Sequence, residues 1–210
     1  SNRARNRRFA PFRTRLDAMS RPVSILDVGG TEDFWRSRGV LPSRELRIVL
    51  LNLAAKKTSD GFESVAGDAA DLRQYRDGEF DIAFSNSVIE HLFTEANQRA
   101  MAREVQRVAR NHWIQTPNFW FPIEPHFLFP GWQWLPRAIR VATIRRTRVG
   151  QRGPGRTDAE AAAIVDEVRM LSVRDMRSFF PKSRMAPERF LGLVKSWTAV
   201  GGPDLDPPGS

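Results

Sequence analysis

The chain has three histidines and no cysteine. An imidazole of ordinary pKa is the side chain best suited to move a proton near neutral pH. His126 stands in Glu124-Pro125-His126, where Glu124 can orient its ring, and it is the first candidate for a general base. His91 follows Glu90 and is the second. Each has a plainer reading. His126 can be a histidine that bonds a backbone carbonyl and packs on aromatics, and His91 a helix-start residue that orders a loop. His112 precedes a short apolar stretch and reads as structural. No group shows obvious metal-ligand spacing, and no metal ligand is assigned. Glu90 and His91 with Glu124 and His126 could in principle hold a hard divalent ion such as Mg2+. Zero cysteines exclude disulfide scaffolds, thiolate zinc sites, iron–sulfur clusters and cysteine nucleophiles.

A second set of residues suits a ligand rather than a proton. Asp27-Val28-Gly29-Gly30-Thr31 closes an apolar run with a glycine turn, which lets a ligand come close to the backbone at a sheet edge. The third glycine of a dinucleotide fingerprint is absent, and Asp33 stands in its place. About 25 residues on, where nucleotide-binding sheets place an acid for the ribose, the chain has Asn52, whose amide can still bond a hydroxyl. Gly67-Asp68-Ala69 and the run from Phe80 to His91 complete the set.

These residues need a scaffold of strands. Val23 to Val28, Arg47 to Leu53, Phe62 to Gly67, Phe80 to Ser85 and Trp113 to Thr116 read as five strands, four short apolar runs and a weaker one at Phe62. Between the fourth and fifth, residues 88–109 carry Ile89, Leu92, Phe93, Met101, Val105 and Val108 at roughly helical spacing. Helices are also expected over residues 157–168, with Thr157 or Asp158 as N-cap, and over 172–180. Residues 184–191 and 196–200 read as two closing strands. The alternation predicts a Rossmann-like α/β fold: a seven-stranded, mostly parallel sheet with helices on both faces and an antiparallel C-terminal strand pair.

After the fifth strand the chain changes character. Residues 119–134 are dense in aromatics and prolines, with Trp120, Phe121, Phe127 and Trp132 as candidate substrate-binding residues. The same aromatics also suit core packing or a homodimer interface. The insertion is expected over about 118–156, as a lid after strand five that ends in a loop at residues 150–155. The chain thus divides into a basic segment over 1–20, a body over 21–200 and a disordered Gly/Pro/Asp-rich tail over 201–210.

The formal net charge is +9, unevenly placed. Residues 1–22 hold seven arginines against Asp17, and seven more lie between Arg137 and Arg156, a stretch without acids. Such segments suit anionic partners: a phosphorylated substrate, RNA or a lipid surface. The aromatics precede the second basic run rather than interleave with it, which counts against nucleic acid. No apolar run is long enough for a membrane span, and no signal peptide is evident, so a cytoplasmic protein is expected.

Taken in order, DVGGT, Asn52, Gly67-Asp68-Ala69, the Phe80-Asp81-Ile82-Ala83 strand and Glu90-His91-Leu92 resemble the class I S-adenosylmethionine-dependent methyltransferases, in the small-molecule branch called methyltransferase type 11. The resemblance spans roughly residues 23–200, including the QTPNFWFPIEPHF lid. It implies that Asp27, Gly29, Gly30 and Thr31 cradle the methionine part of S-adenosyl-L-methionine. Asn52 would take the ribose and Leu53 lie beside the adenine. Asp68 and the Ala69 amide would meet the adenine edge, and Ser85 and Asn86 would lie under the sulfonium. With a methyl donor of this kind, transfer to a small-molecule hydroxyl is expected, and the aromatic lid favours a sugar or polysaccharide precursor, with His126, Glu124 and His91 as the catalytic candidates. The alternatives are an RNA methyltransferase using the basic flap and a non-catalytic partner subunit of the same fold.

Overall fold

A computed structural model describes residues 2–149, 154 and 157–206. The loop expected at 150–155 lies almost entirely outside the described residues. One seven-stranded sheet organises the chain. Its strands are β1 (Val23–Val28), β2 (Leu46–Asn52), β3 (Glu63–Ala66), β4 (Phe80–Asn86), β5 (Ala109–Pro117), β8 (Arg184–Phe190) and β9 (Leu193–Gly201). Their spatial order is β3-β2-β1-β4-β5-β9-β8. The first five run parallel, while β9 pairs antiparallel with β5 and β8 with β9. The central strands β1, β2 and β4 read as near-continuous apolar runs because they are covered on both faces.

One face is covered by α1 (Asn2–Ala18) and α2 (Glu32–Arg36). Phe9, Phe12 and Leu16, spaced to share one side of α1, are buried with Trp35, Ile48, Ile82 and Trp113. The later turns of α1 are therefore part of the core: the Phe12 ring lies 4.8 Å from Phe84 and 5.4 Å from Trp113. The other face is covered by α3 (Glu95–Val108) and α6 (Val173–Phe179), which bury Met101, Val105 and Val108 with Met176 and Phe179.

The helical pattern over residues 88–109 is interrupted. A 3-10 turn at Ile89–His91 is separated from α3 by Phe93, whose φ of 59° ends any continuous helix. Thr94 then caps α3, its side chain accepting from the Asn97 amide.

The lid has a core of its own. It contains the two-residue strands β6 (Ile123–Glu124) and β7 (Phe129–Pro130), a 3-10 turn at Trp132–Trp134, α4 (Arg137–Arg146) and α5 (Asp158–Asp166). Phe127, Trp132, Ile144, Val149, Ala161 and Val165 are buried together, so α5 belongs to the lid and carries it beyond the expected limit near residue 156. Arg137 and Arg145 on α4 pair with Asp166 and Asp158 on α5, which uses part of the second basic run internally.

The start of the expected tail is packed rather than disordered. Gly201 closes β9, Leu205 is fully buried, its carbonyl accepts from Arg15 Nε at 2.7 Å, and Asn111 Nδ2 donates to Asp204 at 2.8 Å. Residues 207–210 lie outside the described residues. Among the described residues, no helix is long and apolar enough to cross a membrane.

Candidate active site

Parallel strands deliver their following loops to one edge of a sheet, and ligands collect where the strand order reverses. Here the reversal falls between β1 and β4. All ten residues expected at a nucleoside lie at the carboxyl ends of β1, β2, β3 and β4 or just past them. Their side chains divide into two groups.

The first group braces the edge from below. Asp27 is buried, and its Oδ2 accepts from Trp35 Nε1 at 2.6 Å. Burial pushes its carboxyl up to about 7, against the lowering effect of the tryptophan bond. This carboxylate therefore sits beneath the glycine turn, not across it. Gly30 is required there, because an added Cβ would fall 1.8 Å from Asp27 Oδ2. Gly29 has a φ of 77°, and a Cβ on it would meet Val88 at 2.4 Å. Ser85 is fully buried and donates to the Val28 carbonyl at 3.0 Å, tying β4 to β1. Asn52 Nδ2 donates to the Gly30 carbonyl at 3.0 Å, so the amide that stands for the ribose acid also holds the turn.

The second group faces outward. Leu53 is 87% exposed at the tip of β2. Asp68 is exposed and accepts from the Ala70 amide at 2.8 Å, whereas Ala69 beside it is buried in the core. Thr31 is exposed and caps α2 by accepting from the Phe34 amide. Asn86 is half-buried at the end of β4.

The proton-handling candidates converge next to this edge, although 35 residues of sequence separate His91 from His126. Glu124 is buried on β6 and acts as a clamp. Its Oε2 accepts from the backbone amides of His126 at 2.7 Å and Phe127 at 2.6 Å, and its Oε1 meets His126 Nδ1 at 2.5 Å. With Nδ1–H given to the carboxylate, Nε2 is the ring nitrogen on the side away from Glu124. The His91 ring stands edge-on to His126, centroids 4.7 Å apart. Glu90, fully buried on the 3-10 turn after β4, accepts from Thr116 Oγ1 at 3.0 Å. Burial pushes its carboxyl up to about 7. Glu90, His91 and His126 each offer a ligand atom, and these atoms lie within 4.8 Å of one another. Glu124, which sequence spacing grouped with them, orients the histidine from outside that trio.

Thr116 was missed from sequence. Its signal was a polar residue at the end of a buried strand, in Gln115-Thr116-Pro117. The four aromatic candidates separate. Phe127 and Trp132 stack at 4.6 Å inside the lid core, 2% and 1% exposed, so they build the lid rather than offer a face to a substrate. Trp120, 63% exposed, lines a cavity of about 1020 Å³ with Phe93, Arg140 and Arg169. Phe121 lines a smaller one of about 320 Å³ with Ser87 and Gln115. The larger cavity lies beside the lid and includes none of the strand-tip residues.

With this geometry in place, comparison with known proteins narrows the reading. Residues 35–112 match the methyltransferase domain family. The methyltransferase-domain match runs from α2 through β4 and α3 into β5. No curated protein matches the chain significantly. Several solved structures share the fold. A chain from the complex between the Haloferax volcanii Trm112 methyltransferase activator and a protein described as a methyltransferase has 13% identity and a TM-score of 0.53, over 93% of this chain and 90% of that one. A Methanosarcina mazei protein described as a SAM-dependent methyltransferase has 13% identity and a TM-score of 0.50, over 88% and 93%. A Rhodobacter sphaeroides protein described as a Zn-dependent alcohol dehydrogenase has 9% identity and a TM-score of 0.55, over 94% and 97%. At such identities the likeness carries the fold alone, which is Rossmann-like.

Proposed function

We propose that the chain is an S-adenosylmethionine-dependent methyltransferase that acts on a hydroxyl of a small molecule, a sugar or polysaccharide precursor. The observation that carries this reading is the imidazole of His126, held by Glu124 beside the reversal point of a methyltransferase-type sheet. The strand tips fit the cofactor. Leu53 offers exposed apolar surface and Asp68 an exposed carboxylate where a nucleoside base would lie, and the Gly29-Gly30 turn admits no side chain. The cofactor supplies a methyl group on a sulfonium, a leaving group that needs no further activation. The residues then have two tasks: to align the acceptor and to receive its proton. Glu124 fixes the ring, and the Nε2 lone pair of His126 is the chain's own proton acceptor. Trp120, exposed at the lid, supplies a flat face on which a sugar ring can stack.

The test is product mass from purified protein, S-adenosylmethionine and a panel of glycosides, lipids and RNA. His126→Ala should keep cofactor affinity by calorimetry and lower turnover by roughly 10²–10⁴-fold. Turnover that survives removes His126 as the proton acceptor. A second reading, a partner subunit without activity, is supported by Asp27 and Asn52, whose side chains are engaged with Trp35 and Gly30. It requires that calorimetry detect no cofactor binding. The RNA alternative is weakened by the pairing of Arg137 and Arg145 within the lid. It would require affinity that falls steeply with salt.

A further inference from the structure

The two carboxylate oxygens of Glu90 have different surroundings. Oε2 accepts from Thr116, whereas Oε1 is buried with no hydrogen-bond partner. Leaving such an atom unpaired is costly. Oε1 lies 4.0 Å from His126 Nε2, too far for a hydrogen bond and close enough for both atoms to share a third. A ring nitrogen of His91 completes the group, and the three ligand atoms lie within 4.8 Å of one another. Bonds of about 2.0–2.2 Å to a common ion hold its ligands about 3–3.5 Å apart, which side-chain shifts on the order of 1 Å would reach here. The outer contacts already have the form that metal-binding histidines show. Glu124 occupies Nδ1 of His126, which fixes the tautomer and aims Nε2 inward, and Thr116 holds the far oxygen of Glu90.

We infer that Glu90 Oε1, His91 and His126 Nε2 form a binding site for one divalent first-row transition-metal ion. Two imidazoles with one carboxylate favour such an ion over Mg2+ or Ca2+, which prefer all-oxygen sets. Three protein ligands leave coordination positions open. The ion would hold the acceptor hydroxyl and lower its pKa; with Nε2 taken up as a ligand the proton leaves to water, and His126 serves as proton acceptor only in the metal-free protein. The purpose assigned to the ion rests on the hydroxyl-transfer reading above; the binding itself does not.

Binding is therefore measured without cofactor or acceptor. Protein stripped with EDTA and desalted is titrated with Mn2+, followed by loss of the free-ion EPR signal, and with Co2+, followed by its visible absorption. The expected result is a single equivalent bound, with cobalt bands that report nitrogen ligation. Glu90→Gln and His126→Ala should each weaken binding by at least about 10-fold, and Glu124→Gln, which leaves every ligand in place, by about 10–100-fold. Circular dichroism confirms that each variant folds, and His91→Asn replaces any that does not. Absence of binding at millimolar ion, or binding unchanged in the folded variants, overturns the site. The two proposals fail separately. Turnover undiminished in EDTA removes the ion's part in transfer and leaves His126 as proton acceptor. An ion bound as expected, in a protein that methylates nothing, leaves the site and removes the transfer reading.

Discussion

Gly30 and Asp27 are locked together. The carboxylate cannot swing away, because Trp35 Nε1 holds it at 2.6 Å in a site 2% exposed, and the turn passes directly over it. Gly30→Ala would place a methyl 1.8 Å from Asp27 Oδ2. The expected cost is about 1–3 kcal/mol, typical of forcing atoms into a packed interior, with weaker binding of the proposed cofactor as the turn shifts. Urea denaturation and calorimetry check it, and unchanged stability would mean that the turn does not rest on Asp27 in solution. This is also where sequence reading reached its limit. Asp27, Gly29 and Gly30 were legible as a turn at a strand tip, but the direction of the Asp27 side chain was not. It depends on Trp35, eight residues on, whose indole needs an acceptor once buried. Likewise Glu124 and His126 were legible as a pair through their spacing. The approach of Glu90 and His91 required the chain to pass through α3 and β5 before returning.

At the scale of elements, the strands were legible because burial on both faces leaves an apolar run that needs little context. Val23–Val28 is read to the residue, and β2 is off by a single position at each end. The lid was less legible. Its aromatics announced an insertion, yet α4 lies in an arginine-rich stretch with no clear apolar face, and its partner α5 is joined to it across residues 150–156. What holds the pair is local chemistry at the start of α5. Thr157 accepts from the Glu160 amide while Glu160 accepts from the Thr157 amide, a reciprocal cap. Arg145 and Arg137 then pin both ends of α5 through Asp158 and Asp166. These ion pairs are substantially exposed and contribute little individually, so the cap is the better target. Thr157→Ala is expected to lose about 1 kcal/mol, confined to the lid. Hydrogen exchange should show faster opening of α5 amides with β1 and β4 amides unchanged. Equal acceleration in the sheet would mean that lid and body open as one unit.

For the whole molecule, two buried groups on opposite sides of the β1–β4–β5 centre set opposing dependences on pH. Asp27 titrates near 7 in the fold and near 4 when unfolded, so between those values the folded protein holds a proton that the unfolded chain has lost. Its contribution to stability falls as pH rises through that window. His112 is the reverse. Burial lowers it to about 4, and the unfolded chain takes up a proton near 6.5 that the folded one refuses. Its contribution is full above about 6.5 and falls as pH drops toward 4. Each slope approaches about 1.4 kcal/mol per pH unit, with opposite sign, so the two largely cancel around pH 5.5. Glu90, pushed up to about 7, adds to the Asp27 side, and comparing each variant with the parent subtracts it. Asp27→Asn should therefore make stability rise more steeply with pH between about 4.5 and 6.5, and His112→Gln, which can keep a bond to Ser183, should make it fall. Denaturant midpoints across that range decide the matter. If both substitutions tilt the profile in the same direction, one of the two groups is charged in the folded protein where its burial says it is neutral.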